Sequence, residues 1–213
     1  MTSIDNSYDL LLFLKKQDLI EEHLEYWWPN NNDFEILIGA ILTQNTKWVN
    51  VEKSLGNLKK LDLLSLEALS QADLPLLIEA ITPSGFKNQK SVRLIKLAKN
   101  ILEEFSSFEN FKENVTRDWL LSQKGIGQET ADAILCYSCH QEYMVIDSYT
   151  NRLLKRFGYE FDSYCDIQTW IVYGINENYD KIAKLYGYEI SLNKLYARFH
   201  GKIVEFMKRN PKG

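Results

Sequence analysis

An all-α fold is predicted by three observations. Apolar residues recur at helical spacing: Leu94, Ile95, Ala98, Ile101, Leu102 and Phe105 form one stripe, and Leu192, Leu195, Tyr196, Phe199, Ile203 and Phe206 form another. Each is the buried face of an amphipathic helix. Asp33 to Asn45 is apolar almost all round, as a central buried helix is. The run Tyr143-Met144-Val145-Ile146 is too short and isolated to build a sheet.

The elements follow in order from local signals. Leu10-Leu11-Leu12-Phe13-Leu14 ends in Lys15-Lys16 and is far too short to cross a membrane. Helix starts fall at Ser65, at Asp73 with Pro75 just inside, at Ser91 or its upstream neighbours, and at Thr116, Asp147 and Ser191, since short polar side chains cap the first unpaired N–H groups. Lys87, Lys90 and Arg93, at i, i+3 spacing, read as a solvated helix face. Between the helix opened by Thr116 and the helix-forming run Gln128 to Leu135 stand Lys124 and Gly125-Ile126-Gly127. A G-x-G turn lets backbone approach another group closely. A turn opening directly onto a helix aims unpaired N–H groups and the positive dipole end at a phosphate. No strand precedes these glycines, which removes the dinucleotide-binding reading and leaves a phosphate clasp or a ligand-free turn.

At 213 residues the chain can bury one sizeable core or two modest helical lobes. A net charge of −4 is unusual for a protein that neutralises many phosphates, so any DNA contact is expected to be local. Three cysteines fit reduced thiols, and with neither a secretory signal nor an apolar span in view the expected location is cytoplasmic. No repeat or low-complexity linker is present, and composition marks no domain boundary.

The helix, G-x-G hairpin, helix and the downstream Val145-Ile146-Asp147 resemble the endonuclease III superfamily of helix-hairpin-helix DNA glycosylases. The resemblance implies two helical lobes with the active-site cleft between them: residues 27–141 form a six-helix lobe with the hairpin motif at about 116–139, and 1–26 with 142–213 form a discontinuous second lobe. DNA would lie across the cleft, contacted by Lys124, Gly125 and Gly127, with Asp147 as the catalytic carboxylate near its mouth. Cleaving an N-glycosidic bond builds positive charge on the sugar, which a carboxylate stabilises while orienting the attacking water. Asp147 also reads as a plain N-cap of the helix that follows; the two roles are compatible, because a helix N-terminus keeps the carboxylate ionised. Glu129 stands where bifunctional members place a lysine that attacks the sugar, and a carboxylate cannot form that Schiff base. The departure implies a monofunctional enzyme without lyase activity, and Glu129 serves mainly as a first-turn helix residue.

Tyr26-Trp27-Trp28-Pro29 and Thr43-Gln44-Asn45-Thr46-Lys47-Trp48 resemble the 3-methyladenine DNA glycosylase III branch. By that match Trp27, Trp28, Pro29 and Trp48 line the base pocket, where stacked aromatic faces attract a positively charged alkylated purine. Plain burial of these aromatics is the other reading, evenly weighed at Trp28. Gln44 matches the position that fills the gap left by the extruded base, although it also reads as a loop residue. Relatives keep a four-cysteine iron–sulfur site in the terminal segment; no cysteine follows Cys165, so that cluster is not expected. Cys136-x-x-Cys139 with His140 and Cys165 could be drawn as a zinc site, but buried free thiols fit better, and neither His23 nor His200 has an evident ligand partner. No metal and no cofactor are expected, apart from a carbamylated Lys202, the position where the branch is thought to use a modified lysine; the alternative is a snorkelling surface lysine. The expected protein is a monomeric, monofunctional DNA glycosylase of base excision repair acting on duplex DNA with alkylated purines, principally 3-methyladenine, and having no membrane partner. The alternatives are a non-catalytic hairpin DNA-binding protein or a glycosylase for another damaged base.

Overall fold

The computed structural model describes residues 4–20, 26–29 and 32–211. All regular structure among these residues is helical, and Tyr143–Ile146 enters no strand. His23 lies outside the described residues. The chain divides into two compact units, one of Met1–Pro29 with His140–Gly213 and the other of Asn30–Cys139. The first unit opens with α1 (Ser7–Lys15). The second holds α2 (Asp33–Leu42), α3 (Trp48–Lys60), α4 (Leu66–Ser70), α5 (Leu74–Ala80), α6 (Lys87–Phe105), α7 (Phe108–Asn114), α8 (Arg117–Ser122) and α9 (Gln128–Ala133), which runs on as a wider π turn, Ile134–Ser138. The first unit resumes with α10 (Ser148–Arg156), α11 (Tyr164–Asn176), α12 (Tyr179–Tyr186) and α13 (Leu192–Arg209).

The capping signals act where the sequence places them. Ser65, Asp73, Thr116, Asp147 and Ser191 each accept a hydrogen bond from the backbone N–H three residues on, satisfying a donor the helix leaves unpaired. α2 is capped by Asn32 and buries Phe34 and every residue from Ile36 to Leu42, as its all-round apolar character requires. α6 is the exception. Gly85 at φ 67° and Phe86 at φ 46° turn the chain into it without a side-chain cap, so the helix begins at Lys87 and Ser91 lies a turn inside. Its basic row is not a solvated face throughout: Lys90 is 2 % exposed.

In the first unit Leu10, Leu11 and Leu14 of α1 share one apolar cluster with Ile171 and Ile175 of α11 and Leu195, Phe199 and Ile203 of α13. Each fully buried side chain of this kind is worth about 1.5 to 3 kcal/mol. Gly174 permits the close approach of α1 to α11, because a Cβ there would fall on the Ser7 hydroxyl, which donates to the Ile171 carbonyl at 2.7 Å. In the second unit Arg117 of α8 grips the fully buried Asp132 of α9, Nε to Oδ1 at 2.6 Å and Nη2 to Oδ2 at 3.2 Å. This bidentate pair fixes the two helices on either side of the hairpin.

Candidate functional site

Asp147 ends the non-helical stretch 143–147, is itself extended and caps α10. Its Oδ1 accepts from the Thr150 backbone N–H at 2.8 Å and from the Thr150 hydroxyl at 2.9 Å. Its Oδ2 lies 3.5 Å from Nε2 of His200 on α13, with the Asp147 side chain 13 % exposed. Burial pushes the carboxyl up, but the His200 imidazole and the two Thr150 donors outweigh it and hold Asp147 below the usual carboxylate range. The group is therefore an anion at neutral pH, nearly shielded from water, the state that stabilises a developing cation.

Around it the first unit gathers aromatic groups. The Trp27 ring stands edge-on to His200, centroids 5.5 Å apart, and edge-on to Trp28 at 6.5 Å. Trp27 holds φ at 67°, a strained conformation for a bulky residue, and its indole lies where a Cβ on Gly201 would be. The glycine in mid-α13 thus makes room for the tryptophan. Lys208 sets its ammonium 5.7 Å from the Trp27 ring centroid. Trp28 is buried and Pro29 exposed. Lys202, next to Gly201, is fully buried, so it does not snorkel: the turn of α13 that carries it faces the interior on both sides.

The second unit carries the hairpin, Gln44 and Trp48. Trp48 is the half-buried first residue of α3. Lys124, Gly125, Gly127 and Glu129 are exposed. Gly125 needs its missing side chain twice over, at φ 86° and with the Arg93 guanidinium occupying the place of a Cβ, whereas Gly127 is extended, caps α9 and has open space around it. Gln44 turns its amide toward the hairpin, donating to the Gly125 carbonyl at 3.1 Å and the Thr130 hydroxyl at 2.9 Å while accepting from Arg93. A pocket of about 490 Å³ opens beside α6 and the hairpin, lined by Arg93, Lys96, Gln123 and Lys124 over Val92 and Ile126. Among the described residues its lining includes cations and amides but no carboxylate.

Cys136 and Cys139 are buried free thiols, and Cys165 is exposed. Burial, with the Asp132 charge, pushes Cys136 far above the usual thiol range; burial and Asp33 push Cys139 up to about 12. No group of three or more His, Cys, Asp or Glu side chains is placed to hold a metal among the described residues. Sequence reading missed His200, Gly201, Lys90 and Arg93 as parts of these clusters. One signal was available: His200-Gly201 sits inside a strong apolar stripe, and a glycine in mid-helix marks a close approach.

A hairpin between two short helices, an ionised aspartate capping the next helix and an aromatic group beside that aspartate are the parts that a helix-hairpin-helix glycosylase calls for. Residues 38–163 match the HhH-GPD superfamily base excision DNA repair protein family, and the chain belongs to it. It is a DNA glycosylase of that superfamily. A Methanocaldococcus jannaschii protein provisionally named a DNA repair glycosylase is 34% identical, over 96% of this chain and 90% of its own. The H. pylori 3-methyladenine DNA glycosylase, solved bound to 1,N6-ethenoadenine, is 49% identical with a TM-score of 0.93, covering 98% of this chain and 100% of that one. A trapped endonuclease III–DNA covalent intermediate shares the fold, at a TM-score of 0.73 and 18% identity over 99% of this chain and 90% of that one.

Proposed function

We propose that this chain is a monofunctional glycosylase that extrudes alkylated purines, principally 3-methyladenine, from duplex DNA and hydrolyses their glycosidic bond. The observation that carries the reading is the ionised, nearly buried Asp147, which shares His200 as a neighbour with the Trp27 ring. As the bond from C1′ to the purine nitrogen breaks, its electron pair leaves with the base and neutralises the positive charge that alkylation put there. Asp147 stabilises the sugar cation and accepts a proton from the water whose oxygen bonds to C1′. Similarity to the H. pylori enzyme supports the substrate class.

Trp27, Trp28, Pro29 and Trp48 would hold the extruded base, Gln44 would enter the space it leaves, and Lys124, Gly125 and Gly127 would hold the backbone. Glu129 offers no amine to the sugar, so the strand is left intact. Lys202, fully buried on α13, is the lysine whose amine would add to carbon dioxide with loss of a proton and become a carbamate. The test is incubation with methylated duplex DNA and separation of the released bases. Free 3-methyladenine should appear, the abasic strand should break only after alkali, and borohydride should trap no adduct. Absence of alkylated purine release, or a trapped covalent complex, would overturn the reading.

A further inference from the structure

Lys90 is a buried cation that the reading above does not use. Its ammonium donates to the carbonyl oxygens of Leu42 at 2.8 Å, Gln44 at 2.9 Å and Ser84 at 2.8 Å. An ammonium has three donors, and here each has an acceptor. Leu42 is the last residue of α2, where carbonyls lack helical partners and the dipole is negative, so Lys90 caps that helix from outside. The same contact pins the backbone of Gln44, one residue before the left-handed turn at Asn45, φ 54°. One turn further along α6, Arg93 holds the side-chain oxygen of the same glutamine.

We propose that Lys90 is a positioning residue for base extrusion: by clamping the backbone of Leu42, Gln44 and Ser84 it sets the point from which Gln44 enters the duplex, and it acts only through Gln44. The inference rests on the gap-filling reading of Gln44. All the amide donors of Gln44 are engaged with Gly125 and Thr130. Entry into DNA therefore exchanges one set of hydrogen bonds for another, and a backbone that does not move keeps the exchange cheap in entropy.

The experiment is a double-mutant cycle of Gln44→Ala and Lys90→Met, read as single-turnover excision of ethenoadenine at saturating protein, with the lesion opposite thymine and opposite an abasic analogue. Lys90→Met should lose about tenfold opposite thymine and little opposite the abasic analogue, where no widowed base waits for an amide. In the Gln44→Ala background it should cost nothing further. Losses that multiply, or a loss equal on both duplexes, would overturn the proposal. A wild-type rate for Gln44→Ala would instead remove the gap-filling reading, and Lys90's role with it. If Lys90→Met does not fold, the wild-type protein decides. Burial and the neighbouring Arg93 charge lower the Lys90 ammonium to about 8, and the Leu42, Gln44 and Ser84 carbonyls that accept from it do not titrate. The wild-type rate relative to Gln44→Ala should then fall as pH rises through that value, and a constant ratio would overturn the proposal.

Discussion

Asp147 serves fold and chemistry through different oxygens: Oδ1 takes both Thr150 donors, and Oδ2 faces His200. Asp147→Asn keeps a capping oxygen but loses the charge. Base release should fall by a factor of at least about 100, while helicity and binding to abasic DNA hold; near wild-type single-turnover rates would reduce Asp147 to a cap. The carboxyl is depressed in the folded state, so its contribution to stability is in place above the ordinary carboxylate pKa and is lost as pH falls through its own lower value. The acid limb of the excision rate should lie below the ordinary carboxylate range. His200→Ala removes the main influence opposing burial and should shift that limb to higher pH; an unmoved limb would separate His200 from Asp147. The capping role of Asp147 was legible because an aspartate followed by a helical run declares an N-cap. His200 was not, since nothing along the chain announces that α13 returns to the start of α10.

At the scale of elements, the hairpin separates two kinds of glycine. Gly125→Ala forces a strained φ and displaces Arg93, and with it the hold on Gln44, so it should lower the melting temperature and the excision rate together. Gly127→Ala meets open space and an ordinary extended backbone, so it should leave the melting temperature near wild type and weaken DNA binding alone. Equal melting temperatures for the two variants would contradict that separation. Helix starts governed by a single polar cap were readable at Ser65, Asp73, Thr116 and Ser191, because the capping bond spans three residues. The start of α6 was readable only as Ser91 or its upstream neighbours, since a left-handed Phe86 replaces the side-chain cap. Nor could periodicity show that Lys90 is buried: a lysine row at i, i+3 spacing looks solvated until three carbonyls converge on one of its members. The Arg117–Asp132 pair, fifteen residues apart, belongs to the same blind spot.

For the whole molecule the limiting quantity is charge. A chain of net −4 cannot hold DNA by a broad positive field, so attraction must come from a small basic region. One such region is on view: from Ala80 to Leu102 the sequence contains no acidic residue, and the part of α6 within it joins Lys124 in lining the pocket beside the hairpin. Arg93, Lys96 and Lys124 are the cations this face could set against phosphates. Three neutralised phosphates give a slope of about −2.7 for log K against log salt, at about 0.9 per contact. Binding to undamaged duplex should therefore weaken only gently between low and physiological salt. Lys96→Gln and Lys124→Gln should each reduce the slope by about one while leaving the excision rate at saturating DNA unchanged. A wild-type slope steeper than about −6 would require phosphate contacts well beyond this face, and the local character of the interface would then be wrong.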